Sequence, residues 1–551
     1  MTGSSHTSLR TSRRTFLGNT AIAVAGTVLG AQKLRAGSPV LLPRDSVAPA
    51  DAFFHERSAP SELQNLAHHA IDAAKSAGAS YADVRIAQRY ELEADATRIL
   101  IYSRLSYGVR ALVDGVWGFS YGRLPTIDAL TRCAQQAVSA GKVSARLSTV
   151  LPGTVTASKE WTPQPVVTGE WQTPNVIDPF TVPAQQHSEL TQAIGGILGR
   201  RPGIDGTYWI RWTRENRVVA TTTGTLVTQQ LYRAAPLLFA HGTFGQSSMP
   251  LSVPEFHSAS GGYELLRVPT LLDQFADAAD RCARLVRYPV RTLDVGRYPV
   301  IVDGCAMASI LTSLVGPSLD LDRVLGHDTE GSGSSQWSLD RLGTPVGSAL
   351  LTVTGDRAIP SFNAARWDDE GVECRETTLV KDGVLMDYHT TGSTVGALES
   401  WYRQQNRPLV SNGCATAVDA YDAVSVRPAH LTMVPSSKPA SVADLYKDLD
   451  RGLVVLGSVT INPDQQLSSG SISFSDGIFE ISRGKIVRRA QNVMLQFNTL
   501  PFLKGLLAVG DRTTVQTQDG WLSKGMPWVT THQDATAPAA LFKEVNVMAA
   551  K

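Results

Sequence analysis

Residues 311 to 326 read LTSLVGPSLDLDRVLG, and the fold turns on how this stretch is read. Its first half continues an apolar run, CAMASILTSLV from Cys305 to Val315, long enough for three turns of a helix. Pro317 has no backbone N–H and its ring crowds the turn before it, so the helix is expected to stop near Val315 or Gly316. Upstream, RYPVIVDG (297–304) reads as a strand entering that helix. Downstream, Asp320, Asp322, His327, Asp328 and Glu330 crowd acidic and imidazole groups into eleven positions. Such a cluster suits either a solvated loop or a set of metal ligands.

Working towards the N-terminus, SELQNLAHHAIDAAKSAG (61–78) has apolar residues at helical spacing behind a Ser61 cap, with Gly78 as its stop. His68 and His69 are neighbours on this helix and point in different directions, which favours surface roles. Residues 81–122 alternate apolar and polar residues and turn at Asp114-Gly115, the pattern of paired strands. A helix over about 126–145 follows, then a Pro- and Thr-rich connection to residue 182. Beyond it come a helix over about 183–199, strands through TYWIRWTR, RVVATTTGTLVTQQLYRAA and PLLFAHGTF, and a helix near 271–286.

The chain has 551 residues, 43% hydrophobic and 18% charged, which suits two or three domains with real cores. A formal net charge of +1 gives no support to a nucleic-acid partner. Ser12-Arg13-Arg14-Thr15-Phe16-Leu17, the apolar run Ala21–Ala31 and then Lys33, Arg35 and Ala36 have the layout of a twin-arginine export signal. That run is too short to span a bilayer, which needs about 20 apolar residues. Five widely spaced cysteines, Cys133, Cys282, Cys305, Cys374 and Cys414, make no disulfide framework and read as buried thiols. There is no Gly-x-Ser-x-Gly elbow, Walker loop or dinucleotide fingerprint, and His55-Glu56 lacks a second His at metal-binding spacing.

The run Leu321, Asp322, Arg323, Val324, Leu325, Gly326, with Gly316 and Asp320 ahead of it, resembles the active-site region of the TldD/PmbA family of metallopeptidases. In that family the catalytic half carries His-Glu-x-x-x-His on a helix. Counting back places Thr312 at the first His, Ser313 at the Glu and Pro317 at the second His. Treated as a helical pair about four residues apart, the two His lie on one face and reach a single Zn²⁺, with the Glu as base. The hydroxyls of Thr312 and Ser313 bind zinc poorly and cannot act as a base near neutral pH, and Pro317 offers no side-chain donor at all.

Further matches include Gly108, Val113, Gly115, Trp117, Gly118 and Phe119, the run Asp368-Asp369-Glu370-Gly371, Lys381 to Leu385, Leu431 to Pro435, ASVADLYKDLDRG (440–452) and GIFEISRGKIV (477–487). Together they cover nearly everything from residue 61 onward. The resemblance implies an α+β, two-domain architecture of mixed and antiparallel sheets with packed helices. Its parts would be an export signal over 1–36, a linker over 37–60, an N-terminal domain over 61–292 and a metallopeptidase-type domain over 293–551.

In the family a zinc-bearing subunit pairs with a metal-free homologue, and the pair encloses a cavity where peptides or unfolded segments are cut. The third zinc ligand there is a cysteine near the C-terminus. Here that place falls at about Thr536 or Ala537, with no cysteine after Cys414 and with His532 as the nearest substitute. The resemblance thus points to a periplasmic or extracellular, non-catalytic subunit that holds no cofactor of its own. Its partner would be a zinc-bearing homologue or a second copy, and its substrate a peptide or unfolded protein. Two alternatives stand beside this. One is an active metallopeptidase with substitute ligands at Asp320, His327 and Glu330; the other is a peptide-binding protein without catalysis. Asp368, Asp369 and Glu370 recur in both halves of the family and read as a structural turn.

Overall fold

A computed structural model describes residues 40–42, 44, 46–49, 59–150, 161–174, 176–251, 253, 257–266, 269–328, 331–474, 477–525 and 528–550. The export signal, His55-Glu56 and Glu330 lie outside these residues. The architecture is α+β. Alternation sets the N-terminal half: in Tyr81–Ala94 the even positions Val84, Ile86, Tyr90 and Leu92 face helices, while Asp83, Arg85 and Arg89 face the other way. This strand pairs antiparallel with Ile99–Val113 on one side and Ile204–Thr221 on the other, and Ile204–Thr221 pairs with Leu226–Phe244. These four long strands form the body of a nine-stranded sheet. Asp114 (φ 51°) and Gly115 (φ 76°) make the tight hairpin turn expected there.

Helices Pro60–Ala77 and Ile127–Val150 pack on one end of the apolar face. Helices Ala184–Gly199 and Pro269–Leu285 cover the other end. The first helix is capped differently from the expectation. Its N-cap is Ala59, with no side-chain bond, and Pro60 starts it because the missing N–H costs nothing in a first turn; Ser61 sits inside that turn. Gly78 (φ 101°) ends it as anticipated.

Among the described residues, the C-terminal half has a ten-stranded mixed sheet and a six-stranded sheet. Gly296–Val302 lies inside the first, parallel to Arg451–Val455 and antiparallel to Ala540–Ala549. The second includes Val353–Asp356, His430–Met433, Val529–Ala537 and Gln516–Lys524. Between the two sheets runs the helix that starts at Gly304. Its residues Ala306, Met307, Ile310, Leu311, Leu314 and Val315 share one core with Val300, Val302 and Leu453 of the first sheet and with Leu431, Ala535 and Ala537 of the second. Being enclosed on both sides explains why this helix is apolar all round.

The helix does not stop at Val315. It runs as an α-helix over Gly304–Ile310, a π-helical turn over Leu311–Val315 and a last α-turn over Gly316–Ser318. The Gly316 N–H reaches back five residues to the Leu311 carbonyl. Widening the turn removes the clash that Pro317 would make with an α-helical carbonyl four residues earlier, so the proline is absorbed and not helix-ending. Among the described residues no helix is long and apolar enough to cross a membrane.

Candidate functional site

The motif helix is seated at its start by Asp303, whose carboxylate accepts from Ala306 N at 2.9 Å and Gly457 N at 2.7 Å. Burial pushes this carboxyl up, to about 6. At Gly304 a Cβ would lie 2.6 Å from the carbonyls of Ala537 and Thr514, so only glycine lets the helix approach the six-stranded sheet this closely.

The π turn changes the geometry of the motif itself. Thr312 and Pro317 are five residues apart, not four, and in an α-helix of about 3.6 residues per turn such positions point well away from each other. The π turn over Leu311–Val315, with Gly316 N bonded five residues back to Leu311 O, narrows that angle and brings the two positions closer to one face. A backbone widened in this way suits a pair of side chains five residues apart better than a regular α-helix does.

Its side chains do not fit a zinc ion. Thr312 is buried, and its hydroxyl donates to Ser309 O at 3.1 Å. Ser313 is half-buried and Pro317 is buried with no donor atom. Thr312 faces Gly520 on strand Gln516–Lys524, where an added Cβ would stand 3.2 Å from its Oγ1. Thr536 is not in this position. It pairs with Thr517, so it projects from the opposite face of the sheet, bonded to the Thr517 hydroxyl at 2.8 Å and to His430 Nε2 at 3.0 Å. Ala537 shares the face of Gly520 but lies beside Gly304, four residues further along.

The acidic tail is tied up by a residue that sequence reading missed. Lys524, buried, places its ammonium 2.9 Å from Asp320 Oδ2, 2.6 Å from Asp322 Oδ1 and 2.8 Å from the Val426 carbonyl. His389 Nδ1 stands 3.4 Å from the other Asp320 oxygen. Burial works against the charge on Asp320, but Lys524 and His389 hold its carboxyl below the usual range. His327 is exposed in the turn that follows helix Leu321–Val324. The structure thus turns Asp320 inward and His327 outward.

His532 is also on the far face. It is buried between Trp521 and Phe362, with ring centroids 3.7 and 4.3 Å away, and burial pushes its imidazole down to about 3. Near it, His430 Nδ1 lies 3.3 Å from Asp534, and Asp519 is pushed up to about 6 by burial and by the Asp534 charge.

Asp368, Asp369 and Glu370 have all six oxygens in use. Asp368 accepts from the backbone N–H groups of Glu370, Val372 and Ala415. Asp369 accepts from Arg217 at 2.5 Å and Ala417 N at 2.7 Å, and Glu370 from Arg110 and Gly392 N, both at 2.6 Å. The turn is a clamp between the polar face of the N-terminal sheet and the metallopeptidase-type half. All five cysteines are buried, and none forms a disulfide.

Known proteins share this construction. The family described as PmbA/TldA metallopeptidase C-terminal domain matches residues 295–549, and PmbA/TldA metallopeptidase domain 1 matches residues 102–141. A metalloprotease of Methanocaldococcus jannaschii is 25% identical over 225 residues, 40% of this chain, and the match spans 43% of that relative. A metalloprotease of Methanothermobacter thermautotrophicus is 22% identical over 73% of this chain and 81% of its own length. Among solved structures, TldE from Thermococcus kodakarensis covers 89% of this chain and all of its own, at 15% identity and TM-score 0.62. A Thermotoga maritima protein described as a modulator of a DNA gyrase covers 88% of this chain and all of its own, at 16% identity and TM-score 0.65.

Proposed function

This chain belongs to the PmbA/TldD metallopeptidase family, and from that premise we propose that it is an exported, non-catalytic subunit of a peptide-processing complex. The observation that carries this reading is the motif helix. It carries a π turn, while Thr312, Ser313 and Pro317 leave it no ligand and no base. On this reading, the place where a relative would hold its metal lies beside the packed core that Leu311, Leu314 and Val315 share with both sheets. Zinc chemistry would come from a homologous subunit with an intact His-Glu-x-x-x-His, and this chain would supply part of the wall that encloses a peptide or unfolded segment. Export in folded form through the twin-arginine pathway suits a subunit that meets its partner before crossing the membrane.

The test is capture of the tagged full-length chain from its native host, with the bound proteins identified by mass spectrometry. A stoichiometric His-Glu-x-x-x-His homologue, present in a complex that cleaves unfolded peptides, is the expected result. Recovery of the chain as a monomer or homodimer that itself cleaves peptides would overturn the proposal.

A further inference from the structure

We infer that the acidic tail of the motif helix is a cation pocket, formed by Asp320 and Asp322 with His389 beside them, whose occupant is the chain's own lysine, Lys524. An ammonium has three N–H groups, and here each has an acceptor: Asp320, Asp322 and the Val426 carbonyl, at 2.9, 2.6 and 2.8 Å. The pocket is built around it. Asp322 is fixed by Val426 N on Oδ2 at 3.0 Å and by Arg323 N on Oδ1 at 2.7 Å. Asp320 is held by backbone bonds on both sides, from His389 N to Leu319 O and from Leu321 N to His389 O. Lys524 and Asp320 are 2% and 0% exposed, so water cannot compensate either charge.

Nor do the nearby guanidinium groups take this place. Arg323 directs its N–H groups to the carbonyls of Ser332, Ser334 and Gln465, and Arg427 to those of Leu522, Lys524 and Val529. Two buried carboxylates side by side need a cation, and the residue that supplies it sits on the strand whose Gly520 seats Thr312. The motif helix, the 425–426 segment and strand Gln516–Lys524 are thereby joined by a positive charge that is covalently part of the chain. This half of the protein needs no added cation to close its core, whether or not it pairs with a zinc-bearing partner.

Lys524→Ala in the full chain keeps Cβ and deletes a piece the size and charge of propylammonium. The variant is expected to lose roughly 5 °C or more in Tm, the scale of an uncompensated buried charge. Propylammonium should restore it saturably, 1-propanol should not, and the restoration should vanish in K524A/D320N/D322N. If K524A is insoluble, its refolding yield in propylammonium against 1-propanol is the readout. The inference is overturned if K524A is as stable as the native chain, if the alcohol rescues as well as the amine, if neither rescues, or if rescue survives loss of both aspartates.

Discussion

Replacing Arg110 with methionine removes the cation at the centre of the clamp between the two halves and keeps most of the side-chain volume. Arg110 is 7% exposed and donates from Nε and Nη2 to Asp83 Oδ2 at 3.0 and 2.7 Å and from Nη2 to Glu370 Oε1 at 2.6 Å. Burial disfavours its charge, yet Asp83 and Glu370 hold it firmly protonated. Its guanidinium also lies 4.1 Å over the Trp117 ring. Each charge-assisted bond is worth about 1.5–3 kcal/mol and the ring contact about 1 kcal/mol, but the bonds share one group and do not add. The better guide is the cost of leaving a buried partner uncompensated, about 3–5 kcal/mol, which falls on Glu370 because Asp83 keeps Arg85 at 2.5 Å. R110M is therefore expected to lose about 4 kcal/mol in urea unfolding. The double variant R110M/E370Q should recover roughly 1–2 kcal/mol, because one stranded charge is gone while Gly392 N keeps an acceptor. A loss below about 1 kcal/mol for R110M, or a double variant that simply adds two losses, would refute the clamp.

Glu215 gives a pH signature. Burial opposes its charge, but Arg217, Arg89 and Arg233 hold its carboxyl far below the ordinary value of 4.5. Its contribution is complete above that value and is lost as pH falls towards the folded one, so native Tm should drop on acidification below pH 4.5. Glu215→Gln should lower Tm at neutral pH and flatten the acid limb; an unchanged slope would count against it. Asp519, raised to about 6 by burial and Asp534, should titrate lower in D534N while staying above an ordinary aspartate, as followed by infrared carboxyl bands. A titration that does not move would show the two groups to be uncoupled. Gly304→Ala puts a Cβ 2.6 Å from two backbone carbonyls and should cost about 1–3 kcal/mol in denaturant unfolding. No loss would mean the helix can lift off its sheet.

Period-two alternation in Tyr81–Ala94 and the Asp114-Gly115 turn made the N-terminal sheet legible, since both are local signals. The assignment of Thr312, Ser313 and Pro317 to the zinc-ligand positions rests on their order against Leu321–Gly326 and belongs to the proposed function. The helix end was misjudged because Pro317 is tolerated through a π turn, a backbone adjustment that residue propensities do not record. Likewise, Ser61 looked like a cap, while Pro60 had already set the first turn. Lys524 left no trace in sequence because it lies about two hundred residues from Asp320 and the pairing exists only once strand Gln516–Lys524 crosses the motif helix. The same holds for Thr536, whose face of the sheet depends on its register with Thr517.

The most direct measurement is zinc content together with peptide hydrolysis for the purified full-length chain alone, before and after zinc loading. Substoichiometric zinc after dialysis and no chelator-sensitive cleavage of unfolded peptides are the expected results. One equivalent of retained zinc with peptidase activity that is lost in D320N would contradict the proposed function.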